Sequence, residues 1–185
     1  TITYTSYNMT SLLTSGSASI GLLYDSQHAR IRQTTTSATT TYLNDPTSGA
    51  FSQAVVSGAS TTWQDFLLVP GGVPDAGVLI AERVSGTPAT VSYFSVDNLG
   101  SIAVISSTTG ALTERDSYDA WGRRRNTNGT DNTLCTLTSS TNRGFTGQEM
   151  MDAVCAVNLN ARIYDPTIAR FAAAIPRFRR CWKAA

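Results

Sequence analysis

The stretch from Tyr93 to Arg125, YFSVDNLGSIAVISSTTGALTERDSYDAWGRRR, decides the fold of this 185-residue chain. The β-branched, apolar run over Ser101–Ser107 predicts a strand, and the looser alternation over Leu112–Tyr118 predicts another. Each is bounded by a turn that contains glycine, which takes the positive φ that tight hairpins need. Short strands joined in this way indicate an all-β meander of β-hairpins. The turns are 97–100, 108–110 and 119–122.

The turn at 119–122 has a physical explanation of its own. Tyr118 offers a large ring to a half-buried sheet face and a hydroxyl to its wet edge. The Asp119 carboxylate can accept hydrogen bonds from turn amides, and Gly122 supplies the permissive φ. Arg123 can pair with a carboxylate of the adjacent hairpin. This set is typical of hairpins held side by side, and it contains no catalytic arrangement.

The same stretch resembles the RHS repeat-associated core domain of the RHS/YD-repeat proteins. In that family a tyrosine–aspartate pair is followed by glycine and arginine, and a D-H-L-G-S segment introduces the core. Asn98 stands where the family usually has histidine, so any proton chemistry by that histidine is absent here. The matching residues are Asp97, Leu99, Gly100, Ser101, Glu114, Arg115, Tyr118, Asp119, Gly122 and Arg123.

Two other stretches carry the resemblance. A second tyrosine–aspartate unit contributes Tyr24, Asp25 and Arg30. Residues 143–171 are similar to the closing segment of the family core, although Gln148 and Ala169 replace its usual histidine and glycine. There we expect a short helical turn over 147–154 and one strand over 157–164. The matches are Phe145, Thr146, Gly147, Glu149, Asp152, Asn160, Ala161, Arg162, Tyr164, Asp165, Pro166, Arg170 and Phe171.

Composition favours a sheet protein and argues against two classes of partner. The formal net charge is +1, which gives no case for binding to nucleic acid or to a membrane surface. Charged residues make up only 15% of the chain, and serine and threonine about a quarter. Threonine suits solvent-facing strand positions. No apolar run approaches the ~20 residues of a membrane span.

The three cysteines, Cys135, Cys155 and Cys181, match neither a zinc ribbon nor a small disulfide scaffold. A bridge between Cys135 and Cys155 is feasible if the two lie in adjacent strands. We favour the alternative, three reduced thiols packed as small apolar groups. Phosphate loops, zinc spacings and dinucleotide fingerprints are missing from the sequence, so no cofactor and no metal is predicted.

The residues that could support catalysis are few. The single histidine, His28, lies in the turn of a tyrosine–aspartate unit, and nothing around it resembles a nucleophile elbow. Glu149 and Asp152 could share one face of a helical turn and bind a cation or do acid–base work. We favour structural pairing of these carboxylates with Arg143 or Arg162. The self-cleavage motif of the family, D-P-x-G-L, is absent, and we predict no enzymatic activity.

The chain is predicted to be a core fragment over 1–171, with an exposed polar excursion over 126–142, followed by a basic tail over 172–185. A turn is predicted over 44–49 and a long loop over 70–77. The chain begins inside a predicted strand, with neither an initiator methionine nor a signal-peptide pattern. We therefore expect a fragment of a longer protein. We interpret the tail as a truncated or frame-shifted terminus rather than as a basic foot for nucleic acid or membrane.

The resemblance implies a structural function. Such hairpins would form a segment of a spiral β-shell that encapsulates or presents a C-terminal effector, in a secreted or cell-surface bacterial polymorphic toxin. The implied partners are the remainder of the shell and the effector, neither of which this chain contains. Open strand edges are expected to cause self-association of the isolated piece. The alternatives are an adhesion or carbohydrate-binding module that uses Trp63 and Trp121, and an enzyme that uses Glu149 and Asp152.

Overall fold

The computed structural model describes residues 1–44, 51–70, 77–160 and 162–172. The turn predicted over 44–49 lies outside the described residues apart from Asn44, and so does the loop predicted over 70–77 apart from its two end residues. The basic tail beyond Ala172 also lies outside them. Within the described ranges, no helix is long and apolar enough to cross a membrane.

Eleven strands form one open antiparallel sheet, the main sheet. Each strand pairs with the next in the chain, so the order in the sheet is the order in the sequence. This confirms the predicted all-β meander of hairpins. The strands are β1 (Ile2–Tyr4), β2 (Thr10–Ser15), β3 (Ala18–Tyr24), β4 (Arg30–Thr35), β5 (Thr39–Asn44), β6 (Phe51–Ser57), β7 (Ser60–Pro70), β8 (Gly77–Val84), β9 (Thr90–Val96), β10 (Ile102–Ser107) and β11 (Leu112–Arg115).

A second antiparallel meander of four strands, the C-terminal sheet, follows a long segment without strands. Short 3-10 turns lie on either side of its first strand, and a tight reversal joins its second and third strands. The strands are β12 (Glu149–Met151), β13 (Ala156–Leu159), β14 (Arg162–Asp165) and β15 (Arg170–Phe171), and the 3-10 turns are Phe145–Gly147 and Asp152–Val154.

Three predicted elements differ from the structure. The strand predicted over Leu112–Tyr118 ends at Arg115, and Tyr118 instead forms an isolated bridge with Arg124. The single strand predicted over 157–164 is two strands, because Asn160 adopts a φ of 58° and reverses the chain. The helical turn predicted over 147–154 is interrupted by strand β12, and its 3-10 geometry is limited to Gly147 and to Asp152–Val154.

Two apolar clusters form the core, and the first of them packs the two sheets together. The first joins β2 and β3 to the C-terminal sheet, and the second lies under β7 to β10. A one-residue register shift after Ile102 places Ile102 and Ile105 on the same buried face of β10. Burial of each large apolar side chain stabilises the fold by roughly 1.5–3 kcal/mol. The members are Leu13, Ile20, Leu22, Met151, Ala156 and Ile163 in the first cluster, and Phe66, Leu79, Phe94, Ile102 and Ile105 in the second.

Candidate functional site

One five-residue turn recurs along the chain. In every copy the amide of the first residue donates to the carbonyl of the fifth, and the amide of the fourth donates back to the carbonyl of the first. The fourth residue has a positive φ, which is 66° at Asn8 and His28 and between 79° and 90° at the glycines. Glycine adopts this conformation without strain, and asparagine and histidine tolerate it better than most residues. The copies are 5–9, 25–29, 97–101, 107–111, 119–123 and 126–130.

Aspartate at the first position of the turn holds two further amides. Its Oδ1 atom accepts hydrogen bonds from the backbone N–H groups of the third and fifth residues, which have no strand partner of their own. The roles predicted for Asp119 and Gly122 are confirmed by this geometry. The donors are Gln27 and Ala29 at 2.8 and 2.9 Å for Asp25, Leu99 and Ser101 at 2.8 Å for Asp97, and Trp121 and Arg123 at 2.8 and 3.0 Å for Asp119.

The Asp119 turn is packed against the Phe145–Gly147 turn. A Cβ atom added at Gly122, where φ is +90°, would lie 2.4 to 2.7 Å from ring atoms of Phe145. A Cβ at Gly144 would lie 2.9 Å from the hydroxyl oxygen of Tyr118. Carbon cannot approach heavy atoms this closely. Both glycines therefore allow a side chain of the other segment to pack directly on the backbone.

The Asp97 turn joins the same junction. Ser101 is fully buried, and its Oγ accepts a hydrogen bond from the amide of Thr146 at 3.1 Å. The amide of Ile102 donates to the carbonyl of Gly144, also at 3.1 Å. Of the other predicted motif residues here, Leu99 is 60% exposed and Gly147 has a φ of 70°. Motif positions far apart in sequence thus meet at one end of the main sheet.

Two motif tyrosines turn their hydroxyl groups inward. Tyr118 donates to the carbonyl of Ile102 at 3.1 Å, and burial raises its pKa above the ordinary value although Arg124 lowers it. The prediction that this hydroxyl faces a wet edge is therefore wrong. Tyr24 donates to the carbonyl of Thr10 at 2.8 Å, and burial raises the pKa of Tyr24 to about 12. Both rings act as cross-strand supports rather than as exposed binding groups.

Glu149 is enclosed between the two sheets, with only 2% of its surface exposed. Tyr42 donates its hydroxyl hydrogen to Oε1 at 2.8 Å, and Arg30 forms an ion pair with Oε2. The Arg30 guanidinium carbon also lies 4.0 Å from the centre of the Tyr42 ring. The partner is Arg30 rather than Arg143 or Arg162, the pairing predicted from the sequence. Strands β4 and β5 thereby clamp the first strand of the C-terminal sheet.

Arg143 packs against two neighbouring aromatic rings of the main sheet. Its guanidinium carbon lies 4.4 Å from the centre of the Phe51 ring and 4.8 Å from that of Phe66. Burial lowers the pKa of Arg143, and the neighbouring Glu149 acts in the opposite direction. Glu82, 2% exposed, has a pKa raised by burial, which a Thr141 hydrogen bond and Arg143 offset in part. The buried charges of Arg143 and Glu82 therefore stabilise each other electrostatically.

Arg124 is the centre of a third buried charge cluster. Its Nη1 lies 2.9 Å from Asp116 Oδ2 and its Nε lies 3.2 Å from Asp152 Oδ1. Burial alone would lower the pKa of Arg124, but Tyr118 and the two aspartates raise it above the ordinary value. Burial raises the pKa of both aspartates, and Arg124 opposes that rise. This cluster bridges the end of the main sheet and the C-terminal sheet.

The neighbouring Arg123 does not reach the adjacent hairpin as predicted. It pairs with Asp119 of its own turn, at 3.2 Å between Nε and Oδ2. Glu149 and Asp152, predicted to share one face of a helical turn, are held by different arginines. Sequence reasoning missed Arg124. The available signal was the alternation of side chains in an extended segment, which places Arg124 on the face opposite to Arg123. Sequence reasoning also missed Tyr42, whose contact spans 107 residues and leaves no local signal.

His28 occupies the fourth position of its turn and is exposed. Its ring stacks on Tyr7, with the centres 4.4 Å apart. The interpretation of an exposed turn histidine agrees with this position. Within the described ranges, no group of three or more histidine, cysteine, aspartate or glutamate side chains is placed to hold a metal ion.

The remaining motif residues build the C-terminal sheet. The Arg162 guanidinium carbon lies 3.5 Å from the centre of the Phe171 ring, and Tyr164 meets the same ring nearly edge-on at 5.5 Å. Asp165 accepts a hydrogen bond from the amide of Thr167 at 2.8 Å. The other members are Asn160 at the β13–β14 reversal, Pro166, which is buried, and Arg170, which pairs with Asp165 across β14 and β15.

The structure joins Cys135 and Cys155 in a disulfide, with 5.6 Å between the Cα atoms. The favoured prediction of reduced thiols is therefore wrong for these two, while Cys181 lies outside the described residues. Neither cysteine lies in a strand, so strand spacing could not have revealed the pair. The predicted polar excursion over 126–142 is mostly exposed, but Asn132 and Thr141 in it are buried.

Comparison with solved structures identifies the fold. The chain is similar to part of the TcdB2–TccC3 crystal structure, at 15% identity and a TM-score of 0.61 over 95% of this chain. A crystal structure of TcdB2–TccC3 with Cdc42 matches 94% of it at 15% identity and a TM-score of 0.58. The Photorhabdus luminescens Tc holotoxin pore with a TccC3 mutation matches 96% at 14% identity and a TM-score of 0.60.

These likenesses concern the fold alone, because the identities are low. The chain spans about 9% of the length of each of the chains it matches. No protein-family model and no curated protein matches the sequence.

Proposed function

We propose that this chain is a wall segment of the β-shell of an RHS-type polymorphic toxin, which encapsulates or presents a C-terminal effector that lies outside this chain. The observation that carries the proposal is the match of the whole arrangement, main sheet and C-terminal sheet, to TcdB2–TccC3 over 94–95% of the chain. The segment has no catalysis of its own. Its work is to keep hairpins in register and to exclude solvent.

The buried charges support a structural role. Glu149, Arg143 and Arg124 each connect the C-terminal part of the chain to the main sheet or to its end. Removing one partner of a buried pair leaves an uncompensated charge, so such contacts fix one arrangement strongly. The disulfide supports action outside the producing bacterium, since disulfides persist in oxidising surroundings.

The two edges of the main sheet differ in how open they are. At β11, the Glu114 side chain accepts a hydrogen bond from the amide of Ser140 at 3.0 Å, so the polar excursion over 126–142 covers part of this edge. At β1, the amine and carbonyl of Thr1 both bond to Thr14, at 2.8 and 2.9 Å. Alternation along an antiparallel strand then directs the amide and carbonyl of Ile2 away from β2. The β1 edge is therefore the place where a preceding strand of the shell would add.

Edge pairing through β1 can be tested on the isolated chain. At micromolar concentration the 185-residue protein should self-associate, as measured by size-exclusion chromatography with light scattering. Ile2→Pro removes the outward amide and should shift the protein towards monomer with an unchanged unfolding midpoint. Thr3→Pro is the matched control, since it removes an amide that bonds to β2 and should lower stability instead. A compact monomer of the parent chain would contradict the open-edge proposal.

A carbohydrate-binding module is the second candidate, favoured by two exposed tryptophans. Trp63 is 44% and Trp121 59% exposed, as a stacking platform for sugar rings requires. Binding on a glycan array that is lost in Trp121→Ala, while the far-UV spectrum stays unchanged, would establish this function. Absence of binding by the folded parent chain would remove it.

A further inference from the structure

We propose that the Cys135–Cys155 disulfide is a thiol-sensitive latch, whose reduction releases residues 126–138 from the C-terminal sheet and opens them to proteases. The inference rests on the placement of the disulfide and on the contacts of this segment. It does not depend on the shell function, and it holds equally for an adhesion module.

Hydrogen bonds of the latched segment run largely within it. Asn126 and Thr130 close a local turn, and the Asn132 side-chain oxygen accepts a hydrogen bond from the amide of Thr136 at 3.2 Å. The Cys135 amide bonds to the Asn132 carbonyl at 3.3 Å. Such bonds keep the segment folded on itself without tying it to the sheets. The disulfide is the covalent tie to the C-terminal sheet.

The segment is bounded by firm anchors on both sides. Before it, the amide of Arg125 bonds to the carbonyl of Ser117 at 2.9 Å. After it, Ser140 bonds to Glu114 at 3.0 Å, and the amide of Met150 bonds to the carbonyl of Asn142 at 2.8 Å. Opening is therefore confined to the stretch between these anchors, and the main sheet can stay intact.

Both cysteines are held in an unfavourable backbone conformation. Cys135 has a φ of 52° and Cys155 a φ of 53°, in the left-handed region that residues with a Cβ atom seldom adopt. Such conformations persist when surrounding constraints fix them. Reduction removes the constraint that the two residues share, so relaxation of both backbones favours the open state.

Reduction also uncovers a buried charge. Cys155 ends the 3-10 turn Asp152–Val154, and its amide bonds to the carbonyl of Asp152 at 3.2 Å. Asn132, Cys135 and Leu137 of the segment line a small cavity whose other wall includes Arg124 and Asp152. When the segment leaves, this wall faces solvent. The latch thus covers the ion pair that joins the two sheets.

The chemical step requires a dithiol reductant. One reductant thiolate attacks a cystine sulfur, and the other sulfur leaves as a thiolate that takes up a proton. The second reductant thiol then resolves the mixed disulfide, so that the cystine gains two electrons and two protons and the reductant becomes a disulfide. Both cysteines are half-buried rather than enclosed, so the reductant can reach the bond.

The test uses the 185-residue chain with Cys181→Ser, which prevents disulfide exchange. Thermolysin cleaves before large apolar residues, and Leu134 within the segment is 81% exposed. We expect cleavage at Leu134 to accelerate on the order of 100-fold after dithiothreitol treatment, the effect of opening a cross-linked loop of this length. Cys135→Ser with Cys155→Ser should behave like the reduced protein, and reoxidation of the parent should restore resistance.

Far-UV circular dichroism decides whether the opening is local. A retained β-sheet spectrum with cleavage confined to 126–138 supports the latch, and Leu134→Ser should then remove the rapid cut. An unchanged cleavage rate after reduction would show that noncovalent contacts hold the segment, which overturns the proposal. Loss of the sheet spectrum with cuts throughout the chain would also overturn it, because the disulfide would then support the whole fold.

Discussion

Substitution of Gly122 by alanine should destabilise the fold in two ways, through backbone strain and through steric overlap with Phe145. The backbone φ of +90° strains any residue with a Cβ atom, and the added Cβ would overlap the Phe145 ring at 2.4 to 2.7 Å. Gly110 occupies the same position of an equivalent turn with a φ of +79°, and a Cβ there meets nothing within 4 Å. Gly110→Ala is thus a matched control that carries the strain without the overlap.

The expected losses follow from these two terms. Strain at a left-handed position costs about 1–3 kcal/mol, and both variants bear it. Overpacking against a ring that cannot move freely adds about 1–3 kcal/mol in Gly122→Ala only. We therefore expect the free energy of unfolding to fall by about 1–3 kcal/mol in Gly110→Ala. The fall should be about 2–6 kcal/mol in Gly122→Ala, so that the two variants differ by about 1–3 kcal/mol.

Urea denaturation followed by tryptophan fluorescence measures both values, and an unchanged m-value would show that the shift of the midpoint reports a change in stability. Phe145→Leu on each background completes a double-mutant cycle. A smaller side chain at position 145 should recover part of the Gly122→Ala loss and none of the Gly110→Ala loss. Equal losses in the two glycine variants, without coupling to Phe145, would refute the close approach of the two turns.

The buried charges give two further predictions. Burial raises the pKa of Glu82 in the folded protein, so the stability that its protonated form contributes is full below the unfolded-state pKa of about 4.3 and is lost as the pH rises through the folded-state pKa. Glu82→Gln should therefore gain stability relative to the parent as the pH rises from 5 to 8. Urea midpoints across that range measure the difference, and a difference that does not depend on pH would contradict the prediction. Arg124→Met should lower the free energy of unfolding by about 3–5 kcal/mol, because Asp116 and Asp152 stay buried without a cation. Arg123→Met, the control, should lower it by only about 0.5–1 kcal/mol. Similar urea midpoints for the two variants would show that the Arg124 cluster has little effect on stability.

Local features of the fold were predictable from the sequence because they depend on neighbouring residues. Asp119 and Gly122 specify their turn through bonds that span four residues, so a reader of the sequence can assign both roles. The Ser101–Ser107 run predicted β10 to within one residue. Strand order also followed, since each strand pairs with the next.

Long-range contacts were not predictable, because the local sequence around a side chain does not indicate which distant residue it contacts. Glu149 offers the same carboxylate to any nearby arginine, and its pairing with Arg30 spans 119 residues. The Cys135–Cys155 pair likewise depends on how the strand-free segment folds back, which no spacing rule encodes. These contacts form only when the C-terminal part of the chain packs on the main sheet.

The strands of the main sheet lie in the same order as in the chain, and this limits how the number of strands can change during evolution. Each strand of the main sheet depends on its two sequence neighbours, as in other one-dimensional arrays. A duplicated or deleted hairpin shifts the flanking strands along the array but preserves their mutual register. Gain or loss of a single strand would reverse the direction of everything downstream, so lengths should differ between descendants by whole hairpins, that is, by even numbers of strands.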